Sequence, residues 1–152
     1  MSRNCFMRWS IATSFAVALL IGANALAADA PKNEKGPQGT WSLSAGEADG
    51  KALTKKQLKD GKLEIEGDDY TVTLADQETL KGTQKLDPTK EPKTIEITDT
   101  SGPNKGKTCL GIYELEGDKF RVVFAAAGKP RPTKFATVAD SGQWMHVWKS
   151  AK

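Results

Sequence analysis

The stretch CLGIYELEGDKFRVVFA, residues 109–125, constrains the fold more than any other part of the chain. Gly117-Asp118 fits a two-residue hairpin turn between two β-forming runs. Such a turn sets Glu116 opposite Lys119, Leu115 opposite Phe120, Glu114 opposite Arg121 and Tyr113 opposite Val122. Ile112 then faces Val123, and Gly111 faces Phe124. Side chains alternate between the two faces of a strand. One face therefore collects Cys109, Gly111, Tyr113, Leu115, Phe120, Val122 and Phe124. The other carries two opposite-charge pairs, each worth ~0.2–1 kcal/mol, together with Ile112 and Val123. A slip of one residue would turn the apolar set outward and the charges inward, so the register is strongly specified.

The rest of the chain follows the same logic. KLEIEGDDYTVTL, residues 62–74, places Ile65 opposite Tyr70 and Leu63 opposite Val72 around a turn at Gly67-Asp68. The same turn sets Glu66 against Asp69, a like-charge pair of small cost, so either the loop is longer by a residue or that end frays. Strand-like runs are expected at 40–45, 62–66, 69–75, 79–86, 93–99, 108–116, 119–125, 133–138 and 143–149. A short helix is expected within 54–60, with Thr54 capping its start and Gly61 ending it. Short strands separated by close turn signals read as an all-β fold: an antiparallel barrel or strongly curved sheet of about eight strands. GKPRPTK, residues 128–134, has two prolines that cannot donate ladder hydrogen bonds, which makes it a stiff surface loop. Arg131 within it reads as solvated, or as a contact for an acidic partner.

The first 27 residues have a different character. Arg3 and Arg8 precede the apolar run IATSFAVALLIGANALA, and Ala25-Leu26-Ala27 matches a small-residue cleavage site. This is the three-part pattern of a secretory signal peptide. The apolar core Ile11–Ala23 is short for a membrane span of roughly 20 residues. The expected organisation is a signal peptide at 1–27, a flexible lead at 28–38 and one β domain at 39–150, in an exported protein with no membrane span after cleavage. Losing two arginines takes the formal charge from +3 to +1. A nearly neutral chain has no general electrostatic pull on nucleic acid. Cleavage also leaves Cys109 as the single cysteine, which excludes an internal disulfide. Its place in the 109–125 hairpin reads as a small buried apolar residue.

Motifs for chemistry are weak. GPNKGKT, residues 102–108, resembles a phosphate loop, but only three residues separate its glycines and it joins two strands rather than opening a helix. His146 is the sole histidine and shares a strand face with Trp144 and Trp148, where packing against tryptophan explains it. A Cys109–His146 pair would require the barrel to bring the two together. One histidine and one cysteine cannot assemble the usual Cys/His zinc site. Asp49, Asp68, Asp69, Asp87, Asp99 and Asp118 fall at turns, where turn chemistry accounts for them. The expectation is a non-enzyme with no catalytic residues, no metal and no cofactor.

Taken in order, GTW, GDDYTV, KLDPTKEPKTIEIT, GPNKGKT, LGIYELEGDKFRVVFA and GKPRPTKF closely resemble a domain family abundant in planctomycete bacteria, whose biochemical function is uncharacterised. The resemblance covers about residues 37–149, and QWMHVW is more aromatic than its usual last strand. It implies a lipocalin-like antiparallel barrel in an exported protein, and no catalytic residues. Gly39-Thr40-Trp41 also resembles the lipocalin G-x-W triplet. That likeness implies that Trp41 plugs the barrel floor beneath a cation, with Lys149 or Arg121 at the matching positions. Small barrels either fill with side chains or hold one ligand. The function expected first is non-catalytic binding of a small apolar or amphipathic ligand in the cup. Tyr70, Tyr113, Phe120, Phe124, Trp144 and Trp148 are the candidates for its wall. The alternative is an envelope-associated interaction or structural module with a filled core and a protein partner.

Overall fold

The structure, a computed structural model, describes residues 36–75 and 77–151. The expected signal peptide and most of the lead lie outside the described residues. The elements are β1 (Gly39–Ala48), β2 (Lys51–Ala52), α1 (Lys55–Leu58), β3 (Lys62–Glu66), β4 (Asp69–Thr73), β5 (Leu80–Asp87), β6 (Thr94–Asp99), β7 (Thr108–Glu116), β8 (Lys119–Phe124) and β9 (Trp144–Ser150). Every ladder is antiparallel. The order is β2-β1-β3-β4-β5-β6-β7-β8-β9, and β1 also pairs with β9. Eight strands thus close into a barrel, with β2 appended to the far end of β1.

The hairpin registers are those expected from the turns. Tyr113 pairs with Val122 and Leu115 with Phe120, while Ile65 pairs with Tyr70; Glu66 also pairs with Asp69, so the ladder there neither frays nor gives way to a longer loop. Strand β1 extends beyond the expected 40–45 because it serves two neighbours. Gly39–Ser42 pair with β3, whereas Trp41–Ala48 pair with β9. A bulge at Ser44 interrupts the ladder with β9 just past the part of β1 that pairs with β3. Leu43 faces Trp148 and Ala45 already faces Val147, so Ser44 has no opposite number. Its hydroxyl donates to the Val147 carbonyl at 2.9 Å. Thr54 caps α1 in a reciprocal box with Gln57, but the helix ends at Leu58, short of Gly61.

The tight turns at Gly67-Asp68 and Gly117-Asp118 define the floor of the barrel, and the chain ends seal it. Gln38 exchanges two hydrogen bonds with the Gly67 backbone, at 2.9 and 3.0 Å. Ala151 donates to the Thr40 carbonyl and Ser150 to that of Asp118. Trp41 is buried here with its ring 5.8 Å from Phe120. Phe120 in turn meets Tyr113 edge-on at 6.2 Å.

Residues 133–138 do not form the expected strand. The β8–β9 connection instead lies against the outside of the barrel as a strap. Its polar groups find side chains rather than a ladder. Thr137 donates its N–H to Glu47 at 2.9 Å and accepts from Gly50 N–H at 2.7 Å. Val138 N–H donates to the Gln143 side chain. Pro130 and Pro132 remove two further donors, which makes ladder pairing a poor alternative. The strap explains why Ile112 and Val123, on the outer face, are 1% and 0% exposed. Pro132 is buried beside them, and Arg121 lies over the Phe135 ring at 4.4 Å.

Arg131 is the clasp of the strap rather than a solvated side chain or a partner contact. Its Nη1 donates to the carbonyls of Ile95 and Gly111 at 2.8 and 2.5 Å, and its Nη2 to Glu96 at 2.9 Å. Arg131→Ala is expected to lower stability by about 1–3 kcal/mol in urea denaturation, because two strand carbonyls lose a charged donor. Arg131→Lys should restore only part of that loss, since a single ammonium cannot reproduce the fork.

Candidate functional site

A cavity of about 380 Å³ occupies the interior above the floor. Its deeper wall is apolar, formed by Leu63, Val72, Ile95, Ile97, Phe120 and Val122. Ala48, Leu53, Gln57, Leu74, Ala75, Gln77 and Asn104 surround its upper part. These residues lie in or beside the β1–β3, β4–β5 and β6–β7 connections, so the cavity reaches the barrel end opposite the tight turns. Five of the six wall candidates line it: Tyr70, Phe120, Phe124, Trp144 and Trp148. Tyr113 does not. It is buried in the packed floor, edge-on to Phe120.

The proposed cation over Trp41 is not found among the described residues. Strand alternation decides this. Trp148 points inward, so Lys149 next to it is exposed on the outer face. Phe120 and Val122 point inward, so Arg121 between them lies outside, bonded to Glu114 and stacked on Phe135. The indole N–H of Trp41 is buried with no hydrogen-bond partner. Phe120, not a cation, is its ring neighbour.

Besides Gln57, Gln77 and Asn104 of the connections, the strands bring Tyr70, Gln84, Asp99 and His146 to the cavity among the apolar side chains. On one wall Tyr70, Gly82 and Asp99 occupy one register position on the adjacent strands β4, β5 and β6. The Tyr70 phenol crosses over Gly82 and donates to Asp99 Oδ1. A Cβ on Gly82 would sit 2.4 Å from the Tyr70 hydroxyl and 2.5 Å from the Thr98 carbonyl. The missing methyl is therefore the slot through which the phenol passes. Burial, and then the bond to the Asp99 carboxylate, pushes the Tyr70 phenol above its ordinary range, so it remains a donor. Gln84 lies one inward position further along β5, 7% exposed, and its side chain has no hydrogen-bond partner among the described residues.

His146 stands on β9, four strands from β5 in either direction around the ring, and so on the opposite wall. Trp148 meets it edge-on at 5.4 Å. Burial lowers its imidazole to about 4, which leaves it neutral at pH 7. Cys109 is buried on β7, and β8 separates it from the His146 strand. The barrel does not bring Cys109 and His146 together as a pair. Burial, and then the Asp99 carboxylate, raises the Cys109 thiol and holds it protonated.

Asp99 and Gln84 are the site residues that turn chemistry concealed. Asp99 follows Ile95 and Ile97 at two-residue spacing, and Gln84 follows Gly82. That periodicity is the signal that could have placed both inward. Asp87 and Asp49 do act at turns: Asp87 accepts from Thr89 N–H at 3.0 Å and Asp49 from Gly142 N–H at 2.6 Å. A second concavity, an outer groove of about 470 Å³, lies between the β5–β6 connection and the strap. Its Arg131 and Glu96 are already satisfied by each other. Among the described residues, no group of three or more His, Cys, Asp or Glu side chains is placed to hold a metal ion. No described helix is long and apolar enough to cross a membrane.

Fold and site together define a closed eight-stranded antiparallel barrel with an internal, mostly apolar cup and a few inward polar groups. No protein-family model, curated protein or solved structure matches this chain.

Two measurements check the site. Gly82→Ala is expected to cost about 1–3 kcal/mol by overpacking, read as a lowered denaturation midpoint with a change in the near-ultraviolet tyrosine signal. The second concerns pH. His146 has an ordinary value of 6.5 and a folded value of about 4. Below 6.5 the unfolded chain gains a proton that the fold excludes. Stability is therefore full above pH 6.5 and falls as pH drops toward 4, by roughly 3 kcal/mol at ~1.4 kcal/mol per unit. His146→Phe should flatten the stability profile across that window.

Proposed function

We propose that this protein is an exported, non-catalytic binding module that holds one small apolar or amphipathic molecule inside its barrel. The observation that carries the reading is the cavity of about 380 Å³ and its aromatic and aliphatic lining. It falls in the size range of small-molecule sites, which are mostly apolar with a few placed polar groups. At about 30 Å³ per water, it corresponds to about a dozen water-sized atoms. The polar groups around it lack the partners of a catalytic centre. His146 has no nucleophile beside it, and the Cys109 thiol is held neutral. A cavity of this size also weighs against the filled-core alternative. Export rests on the sequence of residues 1–27, with its basic start, apolar core and Ala25-Leu26-Ala27. The likeness to the planctomycete exported family and to lipocalin-like barrels points the same way.

Native mass spectrometry after gentle purification tests the reading. The mature protein is expected to carry a small molecule, or to take up an apolar probe such as an anilinonaphthalene dye with a change in tryptophan fluorescence. Val122→Phe places a larger side chain in the cavity wall and should reduce uptake. A wild-type protein that neither retains a molecule nor takes up any probe would count against the cup.

A further inference from the structure

Among the described residues, Asp99 is the one formally charged side chain that lines the cavity, and no cation lines it. Asp99 is 8% exposed at the C-terminal end of β6, beside the β6–β7 connection. One carboxylate oxygen accepts from the Tyr70 phenol, and the other has no hydrogen-bond partner among the described residues. The groups that line the cavity beside it are neutral, and the Lys107 ammonium, whose field reaches Cys109, stays outside the lining. Tyr70 is held protonated, as is the Cys109 thiol next to it, and the imidazole on the far wall is uncharged. Neither lysine nor arginine lines the cavity. Lys107 is exposed on the β6–β7 connection, and there its backbone carbonyl, not its ammonium, meets Asp99. A buried carboxylate without a cation is costly, and folds normally pair such a group.

Building on the cup reading, we propose that the cavity is a site for an organic ammonium ion. Its charged nitrogen is bound by Asp99, and its apolar body lies against Phe124, Trp144 and Trp148. The geometry supplies both halves. The carboxylate sits near the mouth, where a charged group has the shortest path from water. Phe124, Trp144 and Trp148 share the same cavity and offer apolar surface to the body of the ligand. Gln84, buried and unpartnered, offers an amide oxygen to a second N–H. The same arrangement disfavours anions. A ligand carboxylate would enter a cavity that holds a like charge and no basic side chain.

Three probes of matched skeleton test this by titration, with tryptophan fluorescence and calorimetry as readouts: octylamine, octanol and octanoate at pH 7.5. Octylamine is expected to bind at least about tenfold more tightly than octanol, the scale of one buried charge-assisted hydrogen bond, with octanoate weakest. Asp99→Asn keeps an acceptor for Tyr70 and should remove the advantage of octylamine without weakening octanol. The order of the three probes on the wild type decides the question even if Asp99→Asn does not fold. Equal or tighter binding of octanol by the wild type overturns the ammonium site and leaves the cup intact. So does an amine preference that survives in folded Asp99→Asn. Binding of none of the three overturns the cup and the ammonium site together.

Discussion

Everything in this molecule depends on strict two-residue alternation carried through a closed ring of antiparallel ladders. Each strand presents alternate residues to the interior, and closure of β1 on β9 leaves no free edge where the pattern could slip. The inner face is then fixed all the way round. Leu63, Tyr70, Gln84, Ile97, Asp99, Phe120, Val122, His146 and Trp148 all reach the cavity because they occupy inward positions. The outer face is equally fixed, and this is what places Arg121 and Lys149 outside. The two-faced role of β1 is possible because the bulge at Ser44 lets one strand bend from β3 toward β9.

Local turn chemistry made most of the fold legible in the sequence. Gly117-Asp118 and Gly67-Asp68 determine their hairpins, and the observed pairings follow residue for residue. Thr54 and Gln57 mark the start of the helix for the same reason. The strap was not legible. Thr133–Val138 has the composition of a strand, but its donors are satisfied by Glu47 and Gln143, which are distant in sequence or supplied by a turn. The burial of Ile112 and Val123 was hidden with it, since nothing in a hairpin reveals what will cover its outer face.

The site was legible in its rings and obscure in its polar groups. Aromatic residues on inward positions announce a wall, and five of the six named reach the cavity. Tyr113 is the exception because depth along a strand, unlike face, leaves no mark in periodicity. Asp99 carries two signals at once: its neighbours Thr100 and Ser101 suggest a turn, while Ile95 and Ile97 suggest the interior. The interior prevails because Tyr70 reaches across Gly82 to satisfy it. That contact joins three strands and is invisible to any reading of a single segment.

The last strand has a temporal consequence. β9 supplies Trp144, His146 and Trp148, one whole side of the cup, and it is the final element in chain order. Its partner β1 is the first described strand, so the closing ladder joins residues about a hundred positions apart. Contacts of such separation form late and slowly. Until they do, the interior is an open trough with an unpaired edge on either side. On the proposed reading, a molecule bridging β9 and the β4–β6 wall would stabilise the closed ring by an amount that rises with the logarithm of one plus its free concentration over its dissociation constant. Occupancy and completion of the fold are thus two views of one equilibrium.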